Sequence, residues 1–273
     1  MSNLNAADEY KRQIEQGFKA IADTYDSLRF LKLSTGRLME QVSLSEGMRV
    51  LDIGTGTGLA AVAAARLAGR SGRVVGVDIS VDMLAHARRN AAMAGVSQIE
   101  FRLEDAQQLT LPDNSFDLVL SAAVLFFVPD MLAAVGEARR VLVPGGCLAI
   151  SSFGSGMLEP LLGVWIARLA AHGAKPASIP IRRLADPKVC RELLVEAGFS
   201  RVEIISEPLG YYHPDSQSRW AEIVGGLEGL ALNQFSTAER DQIRAEHLAE
   251  LDARATREGL WVNIPTNFVF GWK

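Results

Sequence analysis

The residue types best suited to chemistry in this chain fall in one short stretch, Val50-Leu51-Asp52-Ile53-Gly54-Thr55-Gly56-Thr57-Gly58, and at two acids beyond it, Asp78 and Asp105. Val50, Leu51 and Ile53 suit a buried parallel strand. The alternating glycines then let the backbone turn tightly and approach a ligand where a Cβ would clash. The spacing departs from G-x-G-x-x-G, because the third glycine arrives one residue early and Leu59 stands at the late glycine position. Asp78 closes the next apolar run, 20 residues after Gly58. A carboxylate there, at the C-terminal edge of a parallel sheet, accepts hydrogen bonds from the two hydroxyls of a ribose. The plainer alternative is a helix-capping or salt-bridged acid.

A proton-transfer group would come from the four histidines. His86 and His247 fall in charged helical segments and read as surface residues, whereas His172 and His213 lie in irregular regions that could face a substrate. His213, flanked by Tyr211 and Tyr212, is the candidate general base near neutral pH, with a packing histidine as the alternative. Phe18, Phe126, Phe127, Phe153, Met157, Trp165, Tyr211 and Trp220 are candidates to line an apolar pocket, although each alone is as well explained by core packing.

The elements that must position these groups alternate between strand and helix signals, as in a parallel sheet covered on both faces. Strands are expected at 49–53, 74–78, 99–102, 116–120, 147–152, 202–206 and 267–272. Ser80, Asp130 and Asp186 stand as N-caps, Pro187 as an N1 proline, and Ser236 with Glu239 at capping-box spacing. Ahead of the glycine turn, Phe18, Ile21, Ala22 and Tyr25 recur on one helical face, and a second helix is expected near 35–42. The organisation expected is a single domain: a helical cap over 1–45, a core over 46–153, helical insertions over 154–185 and 207–263, and a final strand over 264–273.

Lys and Arg number 28 against 32 Asp and Glu, a formal net charge of −4 with no basic block, so the electrostatic footprint of a nucleic-acid binder is missing. Cys147 and Cys190 are the only cysteines and make no CxxC spacing, which argues against a disulfide framework or a zinc site. The first residues carry neither a basic nor an apolar leader pattern, and no window has the apolar length of a bilayer span. The expectation is a cytoplasmic protein, monomeric or homodimeric, acting on a small molecule.

With these elements in place, the chain resembles the class I S-adenosylmethionine-dependent methyltransferases, of the branch related to the ubiquinone and menaquinone methyltransferases. The resemblance runs from about Tyr25 to Phe153. It is carried by the glycine stretch, by Val75-Gly76-Val77-Asp78-Ile79-Ser80, by Glu104-Asp105-Ala106, and by Phe116-Asp117-Leu118-Val119-Leu120-Ser121 leading into Val128-Pro129-Asp130. It implies an α/β Rossmann-like, seven-stranded, mostly parallel sheet with the last strand antiparallel and helices on both faces. It also implies that Gly54, Thr55 and Gly56 back the methionyl end of the cofactor, with Asp52 and Gly58 also in the cofactor-binding set, that Asp78 holds its ribose, and that Ile79 lies against the adenine. Asp105 would accept the adenine amino group, Ala106 would offer its N–H to a ring nitrogen, and Ser121 and Ala122 would lie near the methionine amine and the methyl. Tyr25 matches a tyrosine that closes over the cofactor in this branch, with a core tyrosine as the alternative.

Two departures shape the expected activity. Leu125-Phe126-Phe127 stands where relatives frequently carry a histidine, and the Asx-Pro-Pro-aromatic signature of enzymes that methylate base and glutamine amino groups is absent. The expectation is methyl transfer to carbon or oxygen of a small hydrophobic or aromatic molecule such as a quinone, polyketide, terpenoid or phenol. The alternatives are a cofactor-bound enzyme that does not methylate, such as a cyclase, a nicotinamide-dependent oxidoreductase, which the early third glycine and the Asp105 motif disfavour, and a protein that only binds the cofactor.

Overall fold

A computed structural model describes residues 2–174 and 180–273. Seven strands form one sheet in the order β3-β2-β1-β4-β5-β7-β6. They are β1 (Arg49–Ile53), β2 (Arg73–Asp78), β3 (Ile99–Leu103), β4 (Phe116–Ala122), β5 (Leu142–Phe153), β6 (Arg201–His213) and β7 (Leu260–Trp272). β1 to β5 pair in parallel, while β7 runs antiparallel to both β5 and β6. The expected mostly parallel sheet with its last strand antiparallel is therefore observed.

The central strands are near-continuous apolar runs because both faces are covered. Leu51, Ile53, Val75, Val77 and Val119 join one hydrophobic cluster, and the residues between them, Val50, Val74, Leu118 and Leu120, join the other. A substitution such as Leu51→Ala in this layer costs about 2–5 kcal/mol through lost transfer energy and the cavity left behind.

Nine α-helices are present among the described residues: α1 (Ser2–Ile21), α2 (Arg29–Gln41), α3 (Leu59–Ala68), α4 (Val81–Met93), α5 (Met131–Val141), α6 (Leu161–Ala171), α7 (Pro187–Glu196), α8 (Ser216–Gly225) and α9 (Thr237–Asp252). The expected caps form. Ser80 accepts from the Met83 N–H, Asp130 from Ala133 and Asp186 from Lys188, and Ser236 and Glu239 close a reciprocal capping box.

The structure corrects several expected boundaries. The second helix starts at Arg29, not near residue 35, and its first turn has no side-chain cap of its own. Instead the Arg29 N–H donates to Glu222 Oε1, 193 residues away. The helix expected from Met157 begins at Leu161, behind Pro160 at the N-cap. The insertion placed at 207–263 shrinks to 214–259, since β6 and β7 pair residue for residue from Arg201 opposite Trp272 to His213 opposite Leu260. Pro208 lies opposite Pro265 in that ladder. Prolines normally mark a strand edge or end, and the expected strands 202–206 and 267–272 both fall short of this pair.

What remains of the insertions packs as a helical cluster, for brevity the lid, with its own small core, in which Trp165 of α6, Ile223 of α8, Leu232, Phe235 and Ile243 of α9 meet, and none of its residues lines the cavity described below. His247 is fully buried beside them, with its ring centroid 4.9 Å from that of Trp165, so it is not the surface residue the charge pattern implied. Among the described residues, no helix is long and apolar enough to cross a membrane.

Candidate functional site

The turn between β1 and α3 is built on left-handed glycines, with Gly54 at φ +65°, Gly56 at +55° and Gly58 at +85°. A Cβ on Gly54 would come within 2.3 Å of Val124 Cγ1, so two backbone segments approach each other here as only glycine permits. Asp52 braces the turn from behind. It is 1% exposed, and its carboxylate accepts from the Thr55 hydroxyl at 2.7 Å and from the backbone of Ala61 in the first turn of α3. Burial pushes its pKa up to about 7 against those hydrogen bonds.

Asp78 leaves β2 beside the turn. Its Oδ2 accepts from the Gly56 N–H and its Oδ1 from the Ser80 N–H, each at 2.9 Å. No cation pairs with it among the described residues, and burial raises its pKa while the N–H donors oppose that rise. An enclosed carboxylate with lone pairs to spare and no counter-ion is a site for neutral hydroxyl donors.

Asp78 opens onto a cavity whose wall also includes Gly54, Gly56, Ile79, Asp105 and Ala106. Asp105 lies just past β3, where its Oδ2 pairs with Lys11 Nζ of α1 at 2.5 Å and its Oδ1 accepts from the Gln107 N–H. Burial would raise its pKa, but Lys11 and Gln107 outweigh burial and hold the carboxyl below the usual range. The lining also has apolar members: Ile14 and Phe18 of α1, Val124, and Phe127, whose ring stands edge-on to Phe18 at 5.1 Å.

Tyr25 also lines the cavity, in the 3-10 turn Tyr25–Ser27, with its ring against Gly56. Part of the ring stays accessible, but the hydroxyl is enclosed. Burial first, and then the carboxylates of Asp78, Asp26 and Asp52, push its pKa far above that of an ordinary tyrosine, so it stays protonated.

The other candidates lie behind the cavity or away from it. Thr55 and Gly58 are in the turn but off the cavity wall, Gly58 packing against Ala87 and Phe101. Ser121 is buried at the end of β4 with an unpartnered Oγ, and neither it nor Ala122 lines the cavity; Ala123 and Val124 do. His213 is not brought to the cavity. It is buried with Nε2 2.8 Å from Glu222 Oε2, in a cluster with Tyr211 and Arg219. The base assignment from sequence is corrected accordingly, because the extension of β6 carries His213 into the lid's polar interior. Of the apolar candidates, Phe18 and Phe127 reach the wall, whereas Trp165 and Trp220 belong to the lid core.

Sequence reasoning missed Lys11, Ile14, Met83, Gln107, Ala123 and Val124 on the wall. Of these, only Ile14 and Lys11 carried a signal, the helical periodicity of α1 around Phe18. Ala123 is held at φ +57°, a strained backbone for alanine, and nothing in its type announces that.

Residues 44–177 match the family described as a methyltransferase domain. The chain is 35% identical over 213 residues to the ubiquinone/menaquinone biosynthesis C-methyltransferase UbiE of Pseudomonas putida, across 70% of this chain and 82% of that protein. The chain belongs to the S-adenosylmethionine-dependent methyltransferases. Within them, this methyltransferase is also 36% identical over 145 residues to the aklanonic acid methyltransferase DauC of Streptomyces sp., spanning 52% of this chain and 66% of that one. The solved structure of the [4+2]-cyclase SpnF superposes with a TM-score of 0.56 at 23% identity, over 89% of this chain and 80% of that one, a likeness of fold alone.

The residues of the methyltransferase fit S-adenosylmethionine. Asp78 offers acceptor capacity without a counter-ion. The ionisable side chains on the cavity wall, Asp78, Glu104 and Asp105 against Lys11, are acidic on balance apart from the neutral Tyr25, which suits a sulfonium cation and opposes a pyrophosphate. The Gly56 N–H, which a dinucleotide phosphate would need, is already engaged by Asp78.

Proposed function

We propose that this methyltransferase places a methyl group on carbon or oxygen of a small, flat, hydrophobic acceptor of the quinone, aromatic polyketide, terpenoid or phenol class. The observation that carries this reading is the mixed lining of the cavity, with the acids Asp78 and Asp105 beside apolar Ile14, Phe18 and Phe127. Two relatives support it, one a methyltransferase of aklanonic acid and the other a C-methyltransferase of ubiquinone/menaquinone biosynthesis.

In this reading Asp78 holds the cofactor's ribose hydroxyls, Ile79 lies against the adenine, and Asp105 with the Ala106 N–H meets the adenine edge. Gly54 and Gly56 give room for the methionyl chain, under the ring of Tyr25. Asp52, Thr55, Gly58, Ser121 and Ala122 support that surface from behind. Bound S-adenosylmethionine supplies a methyl group already activated by a positive sulfur. The protein then has to align the acceptor and exclude water, effects that together account for roughly 7–11 kcal/mol of a barrier.

No histidine lines the cavity, and the Tyr25 hydroxyl is held protonated. Glu104 is engaged by Thr110 and Asp105 by Lys11. The acceptor this arrangement suits is therefore one whose nucleophile ionises on its own, a phenolate or a carbon flanked by carbonyl groups. The test is incubation with S-adenosylmethionine and a panel of hydroquinones, phenols and β-dicarbonyl aromatics, read by product mass. A gain of one methylene on an acidic acceptor is expected. An isomer of unchanged mass would place the protein with cyclases instead, and calorimetric binding of NAD in place of S-adenosylmethionine would overturn the cofactor assignment.

A further inference from the structure

The segment Thr24–Arg29 touches the glycine turn on one side and the lid on the other. On the turn side, Asp26 Oδ1 accepts from the Thr57 hydroxyl at 2.5 Å, and Asp26 Oδ2 accepts from Asn90 Nδ2 at 2.8 Å. Asn90 Nδ2 also donates to the Thr57 carbonyl at 3.0 Å, so cap, glycine turn and α4 close into one network. Thr57 is 1% exposed and lies between Gly56 and Gly58, which makes this a buried clamp on the turn itself.

On the lid side, the Thr24 hydroxyl donates to the Gly225 carbonyl at the C-terminus of α8 at 2.7 Å. The Arg29 N–H donates to Glu222 of α8 at 3.3 Å, and the Arg29 guanidinium lies 4.3 Å over the Tyr211 ring while donating to the Tyr212 carbonyl. Glu222 is therefore at once the N-terminal cap that α2 lacks locally and the acceptor for Tyr211 and His213. Between the two sets of contacts the chain is a 3-10 turn closed by Ser27 N–H to Thr24 O and Leu28 N–H to Tyr25 O. Too few residues separate them to absorb a displacement.

We propose that Asp26 is a positioning residue, and that through it the Thr24–Arg29 segment couples occupancy of the glycine turn to the order of the α8 lid. The inference rests on the cofactor assignment above. A ligand that settles against Gly56 and Tyr25 fixes the turn, the clamp on Thr57 carries that to Asp26, and Thr24 and Arg29 carry it to α8. The lid then orders when cofactor is present, and by linkage a second ligand that orders the lid tightens the cofactor by the same factor.

The molecule carries its own reporter. The four tryptophans are Trp165, Trp220, Trp261 and Trp272, none of them on the cavity wall, and Trp220 of α8 packs edge-on against Trp165 at 5.8 Å. Any change of tryptophan emission caused by S-adenosylhomocysteine must therefore travel through the fold. In the native protein, S-adenosylhomocysteine should bind by calorimetry, shift the emission with the same midpoint, and slow hydrogen exchange of the α8 amides. In Thr57→Val, which removes the hydroxyl at nearly constant volume, binding should persist within about tenfold while the emission change and the α8 protection fall by more than half. Asp26→Ala should behave alike, and Asp26→Asn, which keeps one acceptor oxygen for Thr57, should restore part of the signal. If Asp26→Ala fails to fold, Thr57→Val alone decides. Native protein that binds S-adenosylhomocysteine with no change in emission or α8 exchange overturns the coupling, as does a full signal in Thr57→Val. Absence of binding to the native protein overturns the cofactor assignment, and this inference with it.

Discussion

Lys11, in the first helix, pairs on the cavity wall with Asp105 at 2.5 Å, so a residue of the N-terminal helix occupies the carboxylate proposed for the adenine edge. The two side chains are 27% and 33% exposed. An ion pair that accessible contributes about 0–1 kcal/mol and is screened by salt. Its consequence is kinetic, since it latches α1 over the site.

Lys11→Met should therefore speed both association and dissociation of S-adenosylmethionine while changing the equilibrium affinity by less than about fivefold. Stopped-flow binding at low and high salt checks this. Raised salt should mimic the substitution in the native protein and have little effect in the variant. Unchanged rates would dismiss the latch.

Asp78→Asn should weaken S-adenosylmethionine by about tenfold or more, because hydrogen bonds to a charged acceptor are worth about 1.5–3 kcal/mol and the amide would present a donor to one of the two N–H groups now served. Calorimetry measures the loss, and thermal melting without ligand verifies that the fold survives. Native affinity in the variant would remove Asp78 from the site.

Gly54→Ala places a Cβ at 2.3 Å from Val124 Cγ1 on a backbone at φ +65°, adding roughly 1–2 kcal/mol of left-handed strain to the clash. Cofactor binding should be lost or strongly weakened. The double variant Gly54→Ala with Val124→Ala relieves the clash but not the strain, so it should recover binding in part. Full binding by the single variant would show that the turn tolerates the approach.

Two buried groups tilt the pH dependence of stability in opposite directions. Burial lowers the pKa of His247 below its ordinary 6.5, with Glu250 and Glu228 opposing and Arg219 adding to the shift. The unfolded chain then binds that proton more readily, so the lid core should lose stability as pH falls below about 6.5. Burial raises Asp52 to about 7 from 3.8, so the folded state binds its proton more readily, and that contribution declines as pH rises between those values. Exchange of α9 amides isolates the first effect and should lose its acid sensitivity in His247→Phe. Global melting isolates the second, whose slope between pH 4 and 7 should flatten in Asp52→Asn. An α9 exchange profile that is the same in His247→Phe as in the native protein would remove the histidine from the account.

The sheet, the glycine turn and the helix caps were legible because they rest on local rules. Val50, Leu51 and Ile53, and Val74, Val75 and Val77, put apolar side chains on both faces, and Ser80, Asp130, Asp186 and Ser236 each serve an N–H within three residues. The early third glycine together with Asp78 and Asp105 set the class of cofactor for the same reason, since a tight turn and a carboxylate at a strand end are properties of short segments.

Contacts distant in sequence were decided by tertiary structure alone. β6 and β7 run through Pro208 and Pro265 because each strand supplies the other's partner, which no window around either proline contains. α2 starts at Arg29 because Glu222 caps it from the lid, and His213 leaves the list of bases because the same Glu222 accepts from it. Lys11 enters the site from 94 residues before Asp105. Local sequence dictated the glycine turn proposed to receive the cofactor. Which side chains close over it was settled by packing, because burial and charge pairing depend on what the rest of the chain brings alongside.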